Sequence, residues 1–149
     1  MSLFLFLHVL SVVVWVGGMF FAYMALRPVA ASVLEPPQRL TLWAGVFGKF
    51  FPWVWLSVAL ILVTGLYMLM EMGAAAPHYA LTMLALGVVM MLLFAHVFSS
   101  PYKKLKRAVA AQDWKAGGAA LGQIRMLIGI NLSLGLLTIA VVFLGRALA

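Results

Sequence analysis

The chain has 149 residues, of which 66% are hydrophobic and 9% charged, and this balance leaves too little polar surface to solvate a globular domain. The absence of cysteine excludes disulfides, thiolate metal sites, covalent haem attachment and iron–sulfur clusters. The formal net charge of +7 comes mostly from Lys and Arg in two connections, which indicates membrane orientation rather than nucleic-acid binding.

Four long apolar segments predict an all-α integral membrane protein, because about 20 apolar residues cross a hydrocarbon core of about 30 Å. Arg27 and Pro28 are expected to end the first helix, and Pro52 to start the second after a short interfacial helix at 40–50. The first segment is expected to be a permanent span rather than a cleaved signal peptide. Residues 1–149 are expected to form one up-and-down four-helix bundle. The spans are expected at about 3–26, 51–70, 78–98 and 126–144.

The distribution of Lys and Arg predicts the orientation. The first and third connections hold nearly all of these residues, and the middle connection holds none. Because positive residues are retained on the cytoplasmic side, both chain ends are expected on the outer face. This N-out, C-out protein would be a multi-pass protein of the bacterial cytoplasmic (inner) membrane, with the lipid bilayer as its surroundings.

Histidines are the first functional candidates, since ionisable side chains are costly in hydrocarbon. At about 1.5 Å per residue, His8 lies roughly 9 Å and His78 roughly 15 Å to the outer side of the midplane. These two spans are diagonal in an up-and-down bundle, so both imidazoles could reach one metal ion. A structural hydrogen bond is the alternative for His8, and a solvated or capping role for His78. The helix face of His8 carries further candidates for the wall of this site: Ser11, Trp15 and Gly18.

A secondary polar site is expected on the cytoplasmic half. His96 lies roughly 12 Å to that side of the midplane, too far from His8 to share a site with it. Asn131 of the fourth span is expected to bond across helices, with His96 as a candidate partner.

Three functions follow from these residues. Haem b between spans one and three, with His8 and His78 as axial ligands, would serve electron transfer or an oxidation with a redox partner or quinone. Copper is the alternative, with Met70 and Met72 joining the histidines, because thioethers and imidazoles suit Cu(I). The third is a cofactor-free assembly or partner subunit, with a homodimer possible through small-residue faces. No acidic residue lies within a span, so any enzyme activity would be that of a haem-dependent oxidoreductase.

The segment LHVLSVVVWVGGMFFAYMALRP, which contains His8, Trp15 and Gly18, resembles the opening span of CopD-type copper-resistance proteins. It is also similar to the opening of the related HemJ-type protoporphyrinogen oxidases. The third span, the basic connection after it and RMLIGINLSLGLL continue the likeness. The resemblance to HemJ-type proteins implies a b-type haem at His8, and His78 matches the histidine that starts their third span. Their lysine after that histidine is replaced here by Ala80 and Leu81.

Overall fold

The computed structural model describes residues 2–148, which are almost entirely helical and include no strand. A π-helical turn (Ala22–Leu26) joins the first two helices, and a 3₁₀ turn (Gly73–Ala75) follows the third. With these turns, four helical segments are each long and apolar enough to cross a membrane, as the sequence predicts. The helices are α1 (Ser2–Phe21), α2 (Arg27–Val33), α3 (Pro36–Met72), α4 (His78–Ser99), α5 (Pro101–Ala110) and α6 (Trp114–Leu148).

The first helical segment was expected to end at Arg27 and Pro28. In the structure it continues to Val33. In the π-helical turn the N–H of Arg27 bonds to the carbonyl of Ala22, five residues earlier. Proline lacks an N–H, and in a regular α-helix its ring clashes with the carbonyl four residues back. A wider π turn directly before Pro28 relieves that clash, so the chain bulges and stays helical.

The second helical segment is also longer than expected. α3 runs unbroken for 37 residues, so Pro52 lies inside it and residues 40–50 form its first half rather than a separate helix. At about 1.5 Å per residue α3 is about 55 Å long, well beyond the roughly 30 Å of a hydrocarbon core. Its first turns therefore extend past the hydrocarbon, and they carry Arg39 and Lys49.

The four segments form an up-and-down bundle. α1 packs most extensively on α3, and α4 on α6; smaller contacts join α1 to α6, α3 to α4 and α3 to α6. Consecutive segments are therefore neighbours, and the first and third spans occupy diagonal corners, as expected. Large apolar side chains cover the outside of the bundle, including Phe6, Val13, Leu92 and Phe143, which suits a surface in lipid.

One end of the bundle is closed by α5, an amphipathic helix that packs against α3, α4 and α6. Leu105 of α5 is fully buried on the inner face of this helix, while the Lys and Arg side chains of α5 are exposed. The ring of Phe51 stacks on Phe47 and makes edge contacts with Phe94 and Tyr102. This aromatic cluster fixes the end of the bundle where the basic residues gather, which we call the basic end.

Candidate functional site

His8 lies in the interface between α1 and α3, with only 8% of its surface exposed. Its Nδ1 is 2.9 Å from the hydroxyl oxygen of Thr64. The imidazole also packs on Gly65, where an added Cβ would lie 3.3 Å from the ring carbon Cε1. A histidine expected to face the bundle interior therefore lies there, with the Thr64 side chain of the neighbouring helix as a hydrogen-bond partner.

The hydrogen bonds of Thr64 favour one tautomer of His8. A threonine hydroxyl has one proton, and Thr64 donates it to the carbonyl of Leu60, 2.5 Å away. With that proton on the Leu60 side, the Thr64 oxygen accepts from His8, and Nδ1 is the nitrogen that donates. Nε2 of a neutral His8 is left with its lone pair. Metal-binding histidines are commonly oriented in this way, by a bond from the nitrogen that does not bind the metal.

The other candidates on α1 also face the interior. Ser11 and Trp15 are buried, and the Trp15 ring makes an edge contact with Phe94 of α4, with centroids 6.3 Å apart. The ring of Phe50 from α3 lies against Gly18, where a Cβ would overlap it. The close approach that Gly18 permits is thus made by a protein side chain.

His78 and the methionines at the end of α3 lie in different surroundings from His8. His78 is the first residue of α4, with an exposed side chain and a carbonyl that accepts a bond from Thr82. Met70 is 80% exposed and Met72 is half-buried, whereas Met68 is 8% exposed. Within residues 2–148, no group of three or more His, Cys, Asp or Glu side chains is arranged to hold a metal ion.

The secondary polar candidates are separated. Asn131 donates from Nδ2 to the carbonyl of Met90 at 3.1 Å, and its Oδ1 is buried with no partner among the described residues. His96 is exposed in the last turn of α4. Met90 is buried beside Gly135 and Val16, and Met19 is buried one turn further along α1. The middle of the bundle thus contains two buried thioethers.

Sequence reasoning missed a cavity of about 180 Å³ near the basic end. It is lined by Arg27, Arg39 and Arg125, which come from three different helices. The available signal was Arg27 close to Tyr23 and Arg39 close to Trp43, but the helix ends expected from the sequence placed both arginines in the first connection and Arg125 in the third.

The family pattern described as copper resistance protein D matches residues 44–144, more than half of the chain. The chain belongs to this copper resistance protein D family. The CopD match covers most of α3, all of α4 and α5, and most of α6. Thr64, Met68 and His78 lie within it, whereas His8 lies before it. No curated protein and no solved structure matches the chain.

Proposed function

We propose that this protein handles copper within the membrane, with Cu(I) as cargo that binds between α1 and α3 through His8 and Met68. The observation that carries the proposal is the match to the copper resistance protein D family. The hydrogen bond from His8 to Thr64 supports the choice of place, because it leaves Nε2 of a buried imidazole able to bind a metal.

The donor chemistry of the interior suits Cu(I). Thioethers and imidazoles are soft or intermediate ligands that favour this ion, and the chain has no cysteine to provide a thiolate instead. Met68 is one helical turn from Thr64 on the same buried face of α3. Met90 and Met19 provide two further buried thioethers deeper in the bundle. Sulfur donors at successive depths would give a copper ion places to bind along the interior.

This site differs from the copper site expected from the sequence in its sulfur ligand. Met70 is largely exposed on the outside of the bundle, so we assign the thioether to Met68 instead. His78 is exposed at the start of α4, where it could meet copper before the ion reaches His8.

Haem b between spans one and three has less support. Its expected second ligand, His78, is exposed, and the walls expected to hold a flat ring are used by Phe50 on Gly18 and by Phe94 on Trp15. The predictions of electron transfer, of an oxidation and of a redox partner or quinone all depended on that haem. They have no independent support.

We infer that both chain ends face outward in a bacterial cytoplasmic membrane, so that the basic end of the bundle is cytoplasmic. The support is the cluster of Lys and Arg on α5 and on the first turns of α3 and α6. His8 and Met68 then lie in the outer half, where copper would enter from outside the cell.

Cu(I) titration of the detergent-purified chain, with a chromophoric Cu(I) chelator as competitor, tests the site. Loss of a partner that only orients a ligand costs about 10–100-fold in metal affinity, so His8→Ala should cost at least as much. Met68→Leu should also weaken binding, and Met70→Leu, which makes the same change on an exposed side chain, should not. His96→Ala is the matched histidine control. If His8→Ala bound Cu(I) as tightly as the native protein, the proposed site would be wrong.

A further inference from the structure

We propose that the cavity near the basic end binds a phosphate group. This cavity, which we call the arginine cavity, has a volume of about 180 Å³ and is lined by Arg27, Arg39 and Arg125. A single water needs roughly 10–15 Å³ of such space, so the cavity is large enough for a polyatomic ligand. It lies at the opposite end of the bundle from His8, and the inference is independent of copper.

Arg125 is exposed and Arg27 is half-buried; Arg39 is also half-buried, and one of its nitrogen atoms is fully enclosed. Its Nη2 donates to the carbonyls of Leu34 at 3.1 Å and Ala31 at 3.4 Å. Its Nε is buried and has no partner among the described residues. A buried donor without a partner is costly, and on a charged group the cost is greater. An anion in the cavity would accept from this guanidinium and remove that cost.

Arg27 is positioned by the π-helical turn. Its Nε donates to the carbonyl of Tyr23 at 3.1 Å, and its guanidinium lies 4.4 Å from the centre of the Tyr23 ring. Among the described residues this is its only hydrogen bond, so both Nη groups are available to a ligand. The bulge that accommodates Pro28 therefore also sets Tyr23 and Arg27 on the wall of the cavity.

The positive charge of the cavity is not balanced by protein. Arg125 of α6 completes the set from the third side, and no Asp or Glu is among the lining residues that the structure describes. Glu35, Glu71 and Asp113 are the only acidic residues of the chain, and all three are exposed. Three guanidinium groups without a carboxylate match a phosphate group, which accepts paired hydrogen bonds from arginine.

The rest of the lining is apolar and aromatic, and it favours a phosphate that carries an apolar part. Trp43 and Phe47 come from α3 and Trp114 from the start of α6, while Gly118 and Gly122 contribute no side chain at their two positions on the α6 wall. Basic pockets between membrane helices bind anionic phospholipid headgroups. Phospholipid and free phosphate share the chemistry recognised here, and the test separates them.

The full-length protein in neutral detergent is titrated with phosphatidylglycerol, phosphatidylcholine and inorganic phosphate, and thermal unfolding and native mass spectrometry report binding. Stabilisation by phosphatidylglycerol, with little effect of phosphatidylcholine, supports the proposal with a lipid as the source. Stabilisation by inorganic phosphate supports it with a free ion as the source. The proposal is overturned if neither phosphatidylglycerol nor inorganic phosphate binds, or if phosphatidylcholine binds as well as phosphatidylglycerol.

Two variants and one control test whether the arginine cavity is the place. Arg39→Gln should weaken binding of the stabilising ligand by about tenfold or more, because charged hydrogen bonds are lost. Gly122→Leu keeps every charge but fills the cavity, since nothing lies within 4 Å of a Cβ at that position, and it should weaken binding similarly. Arg107→Gln removes the same charge from an exposed position on α5 and should have little effect. Equal weakening by Arg107→Gln, or no effect of Gly122→Leu, would mean that binding occurs elsewhere.

Discussion

In the proposed copper site, the hydroxyl group of Thr64 orients His8 so that Nε2 faces the metal ion. Because Thr64 gives its single proton to the carbonyl of Leu60, it must accept from Nδ1 of His8. A neutral imidazole held in this way presents Nε2 with its lone pair in a fixed direction. In this proposal the orientation of the ligand depends on a residue outside the set of metal ligands.

Replacement of Thr64 by Val tests this orienting role. Val has nearly the same shape but no hydroxyl, so His8 keeps its packing and loses its partner. We expect Cu(I) affinity to fall about 10–100-fold, less than or equal to the loss in His8→Ala. Competitive Cu(I) titration measures this. Ser57→Ala is the matched control, because Ser57 is buried on the same face of α3 without a bond to His8. An unchanged affinity in Thr64→Val would show that Thr64 does not orient the ligand.

The sequence was enough to nominate His8 but not to identify its partner. The cost of an ionisable group in hydrocarbon, together with the small residues on its helix face, predicted that His8 points inward. The sequence alone does not pair Thr64 with His8, because the register between α1 and α3 depends on contacts such as the stacking of Phe4 on Tyr67. The same register decides that Met68 is buried and Met70 is exposed.

The lengths of the helices were harder to predict than their existence. Apolar length alone identified four spans, but proline was interpreted as a helix boundary at both Pro28 and Pro52. In the structure a π turn accommodates Pro28, and Pro52 lies within α3. Proline is tolerated inside membrane helices when the surrounding structure compensates for the lost hydrogen bond. The arginine cavity lies between these longer helices, so the sequence did not predict it either.

Close packing between α4 and α6 depends on a glycine near the end of α6. A Cβ at Gly145 would lie 2.6 Å from the Cβ of Tyr79, an atom that cannot move without its backbone. Gly145→Ala should therefore lower stability by about 1–3 kcal/mol, as overpacking does. Thermal unfolding in detergent measures the loss. Gly17→Ala adds the same methyl group where nothing lies within 4 Å, and it should be neutral or slightly stabilising. A fall in stability for both variants alike would argue against the specific contact.

The bundle as a whole has two chemically distinct ends. One contains His8, Thr64 and Met68, and the other contains the arginine cavity and the basic helix α5. Up-and-down topology alone predicted that the connections alternate between the two sides. The charge distribution is the basis of our proposal that the basic end is cytoplasmic, because Lys and Arg are retained on that side.

The absence of cysteine gives a direct test of this orientation. Ala74→Cys places a single thiol in the turn after α3, and Ala111→Cys places one between α5 and α6; both positions are exposed. A membrane-impermeant maleimide added to intact cells should label Ala74→Cys and leave Ala111→Cys unlabelled until the membrane is opened. The reverse pattern would show that the basic end faces outward.

The metal content and optical spectrum of the native protein test the copper assignment most directly. The full chain is purified in detergent from bacteria grown with added copper and sufficient iron, and copper, iron and absorbance are measured on one sample beside the His8→Ala variant. We predict copper bound to the native protein, a large loss of it in His8→Ala, and no Soret band in either. A Soret band that disappears in His8→Ala, with copper at background level, would contradict the copper assignment and restore haem b as the group at His8.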